Sequence, residues 1–398
     1  MRQLTKNEKN KLLIVLSVLS AIGPLSIDMY LPAFQVIALD FNTTVPIVGL
    51  SLTTYFFGLT FGQLFYGPLI DRFGRKKPLV IGLILYTVST ISCAFSPTID
   101  WLIWSRLFLA LGGCSGMVVS RAIVRDFFDL KESAKFLSAL MLVMGLAPIV
   151  APLIGSVMIL YLGWRYIFLL LVLFVFCLFI GIYWFLPPVK GEDTSVQINI
   201  KGIFSSYFTI LKNPIFLAFG LAGSITYASL FAYISGSPFV YMNIFGLSEQ
   251  QYSWAFGINA TGLILGSQLN HLILKKYSNK RATGATLILL SAVITILIVG
   301  VKFSIFSSFV SMIFIFFFIS LLGVLNPNTV ALALSPFSNE AGRASALMGS
   351  IQMGISACVS AIVSSLLSDT ALPMLVCMGC SAFGGLIVIG LYAIKQRT

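Results

Sequence analysis

Stretches of about 20 apolar residues recur along this 398-residue chain, separated by short breaks that hold charge, proline or glycine. A run of that length matches the roughly 30 Å hydrocarbon core of a bilayer, and inside hydrocarbon every backbone N–H and C=O needs an internal partner, so each run is a helix. Only 10% of the residues are charged and 58% are hydrophobic, against roughly one quarter charged in soluble domains. A soluble fold cannot hide that much apolar surface. The chain is read as an all-α integral membrane protein.

Apolar windows set against the breaks give twelve transmembrane helices near 12–33, 46–68, 78–96, 100–122, 136–160, 164–186, 213–236, 251–272, 282–300, 304–326, 342–367 and 371–394. An even count puts both termini on one side. Of the 25 Lys and Arg, 22 fall on that side, Arg165 and Lys302 fall on the other, and Arg106 lies within a helix. The bias assigns both termini to the cytoplasm. It also accounts for the net charge of +12 without nucleic acid, since the cations sit in short clusters between apolar runs. The first run, behind Arg2, Lys6, Lys9 and Lys11, is too long for a signal peptide and lacks a cleavage site before Asp28, so it is a retained helix. The six cysteines all fall in apolar stretches, and Cys377 and Cys380 have no other ligand-type neighbours, so no metal or disulfide framework is expected.

The longest polar stretch, 187–212, opens with Pro187 and Pro188 and divides the chain into a six-helix bundle at 1–186, a cytoplasmic linker at 187–212 and a second bundle at 213–398. A repeat supports the division. LTFGQLFYGPLIDRFGRKK from Leu59 aligns with LILGSQLNHLILKKYSNKR from Leu263, matching Gly62 to Gly266 and Phe73 to Tyr277. Two parallel repeats place a substrate site between the halves, near the midplane.

Four patterns stand out. Gly67-Pro68-Leu69-Ile70-Asp71-Arg72-Phe73-Gly74-Arg75-Lys76-Lys77 follows the second helix; its glycines suit a tight turn and close helix approach. Ser26-Ile27-Asp28-Met29-Tyr30-Leu31-Pro32-Ala33 puts a carboxylate in the first helix, where it costs about 3 kcal/mol on insertion scales. Arg106 opens Arg106-Leu107-Phe108-Leu109-Ala110-Leu111-Gly112-Gly113 in the fourth. The fifth contains Gly145-Leu146-Ala147-Pro148-Ile149-Val150-Ala151-Pro152-Leu153-Ile154-Gly155, where Pro148 and Pro152 remove two backbone donors and Gly145 and Gly155 permit close packing.

Together these patterns resemble the major facilitator superfamily, and within it the drug:proton antiporters of the bicyclomycin-resistance (Bcr/CflA) type, over residues 12–394. The resemblance implies the major facilitator fold, two pseudo-symmetric six-helix bundles. It implies a conformational latch built from Gly67, Asp71, Arg72, Gly74 and Arg75, with Asp71 facing the start of the eleventh helix and Arg125 and Asp126 joining the network. It implies proton coupling through Asp28 and Arg106, and an antiport-associated bend at Gly145, Pro148, Pro152 and Gly155. Leu109 stands where the family often has a glutamine. Asp28 alternatively reads as a headgroup-level residue, with Pro32 one turn beyond. Both Asp28 and Arg106 are placed about five residues, or about 7 to 9 Å, inside the outer boundary.

Tyr30, Tyr227, Tyr233, Asn259, Asn326 and Gln352 are candidates for lining the substrate cavity, though tyrosines near a helix end also serve as interface anchors. The expected function is proton-coupled export of small, amphipathic organic molecules or drugs across a bacterial inner membrane by alternating access. The alternatives are a narrow exporter of a metabolite or siderophore and a proton-coupled importer. No cofactor is expected beyond the proton gradient, no P-loop is present, and no nucleophile and base cluster as an enzyme needs. The expected partners are substrate, protons and lipid, around a monomer.

Overall fold

A computed structural model describes residues 5–128, 130–186, 200–337 and 340–395. Its elements are α1 (Lys6–Asp28), a 3₁₀ turn (Leu31–Ala33), α2 (Phe34–Asp40), α3 (Val45–Arg72), α4 (Lys76–Ala94), α5 (Ile99–Phe127), α6 (Leu130–Tyr161), α7 (Arg165–Phe185) and α8 (Ile200–Leu211). Then follow α9 (Leu221–Pro238), flanked by π-helical turns at Phe216–Gly220 and Phe239–Ile244, α10 (Glu249–Leu274), α11 (Asn279–Lys302), α12 (Ser308–Leu334), α13 (Ala341–Leu366) and α14 (Leu372–Lys395).

Eleven spans among the described residues are long and apolar enough to cross a membrane. The twelfth crossing is α10, whose Ser253, Asn259 and Asn270 lower its hydropathy and are buried against other helices instead of facing lipid. The chain is a multi-pass membrane protein. Crossings alternate, so the start of α1 and the end of α14 share one face, here termed the basic face.

Local sequence explains where helices start and stop. Thr5 with Glu8 and Ser248 with Gln251 form capping boxes at α1 and α10, and Thr98, Ser278 and Ser307 cap α5, α11 and α12. Gly74, at φ 74°, turns the chain between α3 and α4, a conformation that favours glycine.

Several helix ends differ from the sequence expectation, α12 among them, which runs on to Leu334 where 326 was expected. The first span continues through the 3₁₀ turn and α2 to Asp40, because Pro32 opens that turn instead of ending the helix; the seventh runs from Phe216 to Ile244 with Pro238 inside it. Both outer extensions hold aromatic and polar residues that dilute the hydropathy signal.

The packing repeats between halves. α3 packs on α5, α4 on α5 and α7, and α1 on α5, α6 and α7; α10 packs on α12, α11 on α12 and α14, and α9 on α12, α13 and α14. Helix for helix, these are the same neighbours. A Cβ at Gly62 would lie 2.6 Å from the Cβ of Cys114 on α5, and one at the equivalent Gly266 would lie 1.9 Å from the carbonyl oxygen of Ser320 on α12. The repeated glycine therefore marks the same helix crossing twice. The halves meet through α3 against α13 and α6 against α10, again an equivalent pair.

Candidate functional site

At the centre of the first half, Arg106 is fully buried. Its guanidinium lies 4.6 Å from the ring centre of Tyr30 and 4.5 Å from that of Tyr55, so two aromatic faces supply the electrostatic contact that a carboxylate otherwise would. Nη1 donates to the carbonyl oxygen of Ser26 at 2.8 Å, while Nε and Nη2 find no hydrogen-bond partner among the described residues. Tyr30 donates to or accepts from Ser51 at 2.9 Å, and Ser26 is paired with Tyr86 at 2.8 Å, so the cage around the cation is itself fixed.

Asp28 is 4% exposed and lies twelve residues before the end of its span at Asp40. That is further from the end of the span than the five residues expected, because the first span runs past Pro32. Asp28 and Arg106 form no ion pair; the link between them is the Ser26 carbonyl, two residues up the chain. In the second half, the hydroxyl of Tyr252 of α10 pairs with Ser237 at 3.1 Å.

The bend in α6 lies beside this carboxylate. Gly155 approaches the backbone of Met29 so closely that a Cβ there would sit 2.1 Å from the carbonyl oxygen. Pro152 offers its carbonyl to Ser253 of α10 at 2.9 Å. Pro148 lies inside the same helix, and Gly145 makes only an ordinary 3.4 Å approach to Ile264.

At the basic face, Arg75 joins three elements. Its Nε and Nη2 hold both carboxylate oxygens of Asp126 at 2.7 and 3.2 Å, and Nη1 donates to Asp71 at 3.0 Å and to the Ile70 carbonyl at 2.8 Å. Asp71 is therefore engaged first by Arg75, within its own loop. It also reaches toward the second half: burial holds the Tyr207 phenol of α8 above its ordinary value, with Arg343 of α13 pulling it down and Asp71 pushing it up. Gly67 approaches nothing within 4 Å, so the close helix approach expected there is absent. The side chain of Arg125 and linker residues 187–199 lie outside the described residues. The remainder of the linker forms α8, docked through Tyr207 and Ile210 on Phe216, Leu347 and Met348.

Three cavity candidates turn inward instead. Tyr30 is committed to Arg106 and Ser51, while Tyr233 and Asn259 are bound to each other at 2.9 Å, with Asn259 also donating to Tyr241 at 3.2 Å. Their polar atoms are satisfied inside one half. Tyr227, Asn326 and Gln352 remain half-buried, and Gln352 donates to Asn326 at 3.4 Å.

Sequence reasoning missed the hydroxyl chain that crosses between halves: Ser360 of α13 pairs with Thr53 of α3 at 3.0 Å and with Ser235 of α9 at 2.7 Å. It missed the reciprocal amide pair Asn270 and Asn328, which joins α10 to α12. Ser and Thr are common in membrane helices, and nothing local marks which of them point across an interface. The helical spacing of Tyr207, Ile210 and Leu211 was the available signal for α8.

A duplicated six-helix unit, joined face to face through equivalent helices and carrying a cation and a carboxylate buried within the spans of its first half, defines a membrane transporter. Residues 16–239 match the Major Facilitator Superfamily. The chain belongs to that superfamily. It is 34% identical to the MFS-type transporter YdgK of Bacillus subtilis (strain 168), covering 97% of this chain and 96% of that one. It is 28% identical to a bicyclomycin resistance protein homolog of Haemophilus influenzae, with 92% of each chain covered. It is 26% identical to multidrug resistance protein D of Escherichia coli (strain K12), covering 92% and 91%. Among solved structures, a bacterial homolog of the lysosomal transporter Spinster matches with a TM-score of 0.73 at 14% identity, covering 99% of this chain and 98% of that one. These relatives are consistent with the bicyclomycin-resistance type of drug:proton antiporter. The chain is a transporter of small molecules, not an enzyme.

Proposed function

We propose that the protein exports small organic molecules, drugs among them, across the bacterial inner membrane in exchange for protons. The observation that carries this reading is Asp28, a carboxylate buried deep in a membrane span without an ion-pair partner among the described residues. A lone ionised carboxylate is costly at that depth. A group that is neutral when protonated and charged when not changes the stability of its surroundings with each proton, which is what a coupling site requires.

Its position supports the coupling. Asp28 adjoins Met29, which receives Gly155 of the bent α6, and α6 meets α10 of the second half through Pro152 and Ser253. Loading or emptying Asp28 thus acts on the boundary between 1–186 and 213–398. The Arg75 cluster latches the basic face during this cycle, and Arg106 fixes the backbone that presents Asp28. Tyr227, Asn326 and Gln352 contact the substrate. The names of the relatives, bicyclomycin resistance and multidrug resistance, support export, and the distribution of Lys and Arg supports cytoplasmic termini.

The test uses ethidium accumulation in energised cells that lack their own efflux pumps. Accumulation kept low by the wild type, and restored by either a protonophore or Asp28→Asn, is the expected result. An Asp28→Asn variant that exports at the wild-type rate overturns the coupling assignment. Ethidium accumulation that the wild type leaves unchanged points to a narrow-specificity exporter of a metabolite or siderophore, or to an importer.

A further inference from the structure

On the flank of the first half, away from the boundary between halves, α4 and α7 enclose a groove of about 360 Å³. Among the described residues Val80, Phe179, Ile180, Ile182, Tyr183 and Trp184 line it, and Lys76 supplies the one charged side chain. We propose that this groove binds an anionic phospholipid from the leaflet on the basic face, with the phosphate on Lys76 and an acyl chain along Val80, Phe179 and Ile180.

Three observations select this occupant. The first is what the groove faces. The outer surfaces of α4 and α7 expose Ile81, Ile84, Val88, Leu173 and Phe176, and on a multi-pass membrane protein such faces contact acyl chains. A groove in that wall opens to lipid, not to water or to the space between halves.

The second is its level. Lys76 begins α4 and Phe185 ends α7, both at the basic face. Tyr183 and Trp184 are 77% and 72% exposed there, the residue types that settle at headgroup depth. The apolar lining therefore lies at the height of the upper acyl chain, and the lysine at the height of the phosphate.

The third is charge. Among the described residues no carboxylate lines the groove, and the first turn of α4 has no acidic residue. Lys11, at the same level, lies over the ring of Phe185 at 5.1 Å and is not part of the groove lining, so the phosphate contact falls to Lys76. A zwitterionic headgroup brings its own cation and gains little here. An anionic one gains from Lys76, which corresponds to a preference of about fivefold for this one cation. The site is independent of the proton-coupling assignment, which concerns the opposite side of the first half.

Trp184 reports on the site directly. Of the five tryptophans, Trp101, Trp104, Trp164 and Trp254 belong to the opposite face, and Trp184 alone belongs to the basic face. The full-length protein in detergent micelles is titrated with phosphatidylglycerol or phosphatidylcholine carrying brominated acyl chains. The Trp184 signal is taken as the difference in tryptophan quenching between wild type and Trp184→Phe. The expected result is half-quenching by phosphatidylglycerol at about fivefold lower lipid content than by phosphatidylcholine, with the preference lost in Lys76→Gln and kept in Lys76→Arg. Equal quenching by the two lipids in the wild type overturns the proposal, as does a preference that survives Lys76→Gln. Val80→Trp, compared with the same variant carrying Trp184→Phe, fills the groove and covers the case in which Lys76→Gln fails to fold. Quenching of Trp184 by phosphatidylglycerol that persists unweakened in Val80→Trp overturns the proposal equally.

Discussion

Arg106 donates to the carbonyl oxygen of Ser26 at 2.8 Å, tying the buried guanidinium of α5 to the backbone of α1 two residues before Asp28. That contact, and not an ion pair, is how Asp28 and Arg106 are related. The aromatic rings of Tyr30 and Tyr55 hold the cation in place. A planar guanidinium can stack on both rings at once while it donates to the carbonyl; an ammonium cannot.

Arg106→Lys keeps the charge and loses the double stacking. With desolvated cation–π contacts contributing about 2 kcal/mol each, the variant is expected to unfold at lower temperature and to lose most uphill transport. Thermal unfolding in detergent and ethidium export in cells check the two effects. Wild-type behaviour in both would remove Arg106 from the argument.

Gly155→Ala places a Cβ 2.1 Å from the Met29 carbonyl, a backbone atom that cannot rotate away. The helices must separate, and overpacking of this kind costs about 1 to 3 kcal/mol. Gly145→Ala meets only the flexible end of Ile264 at 3.4 Å and is expected to be near neutral. Parallel thermal unfolding and transport assays of the two variants should separate them clearly.

The pair Arg75 and Asp126 joins the loop after α3 to the end of α5 with two hydrogen bonds, and Arg75 is mostly buried. A double-mutant cycle with Arg75→Ala and Asp126→Ala is expected to give a coupling of about 1 to 2 kcal/mol. Arg75→Lys should recover less than half of it, because a lysine cannot hold both carboxylate oxygens. Thermal unfolding of the four proteins supplies the cycle.

Ser360→Ala removes the hydroxyl that Thr53 and Ser235 share across the boundary between halves. Hydrogen bonds between membrane helices contribute about 0.6 kcal/mol on average and up to about 1.7, so the population of the state described here should fall by about 3- to 20-fold relative to its alternative. Spin-label distances between α3 and α13 measure that change. Unaltered distributions would show that the hydroxyl does not bias the halves.

Asn328 donates to Asn270 at 2.7 Å and to the Val324 carbonyl at 2.9 Å. Asn328→Ala strands the Asn270 amide in a membrane interior and is expected to destabilise by about 1 to 2 kcal/mol. The double substitution Asn270→Ala with Asn328→Ala should cost less than the two single changes added together. Unfolding measurements on the three variants decide it.

From the residues alone it follows that this chain spans a membrane many times, that it is a duplicated six-helix unit, and where its motifs lie. These properties depend on hydropathy, which sums along the chain, and on spacings that survive duplication, such as Gly62 and Gly266. Even the start of α10 was legible, since Ser248 and Gln251 act on neighbouring backbone. Facing came only from how the helices pack. Tyr30 and Tyr227 are both tyrosines in apolar helices, yet one packs on Arg106 and the other stays half-buried. In water a polar side chain announces the exposed side of a helix. In a bilayer the exposed side is apolar, and polar groups turn inward to whichever partner the packing brings, so the relation of Asp28 to Arg106 and Gly155 became visible only once the helices were assembled.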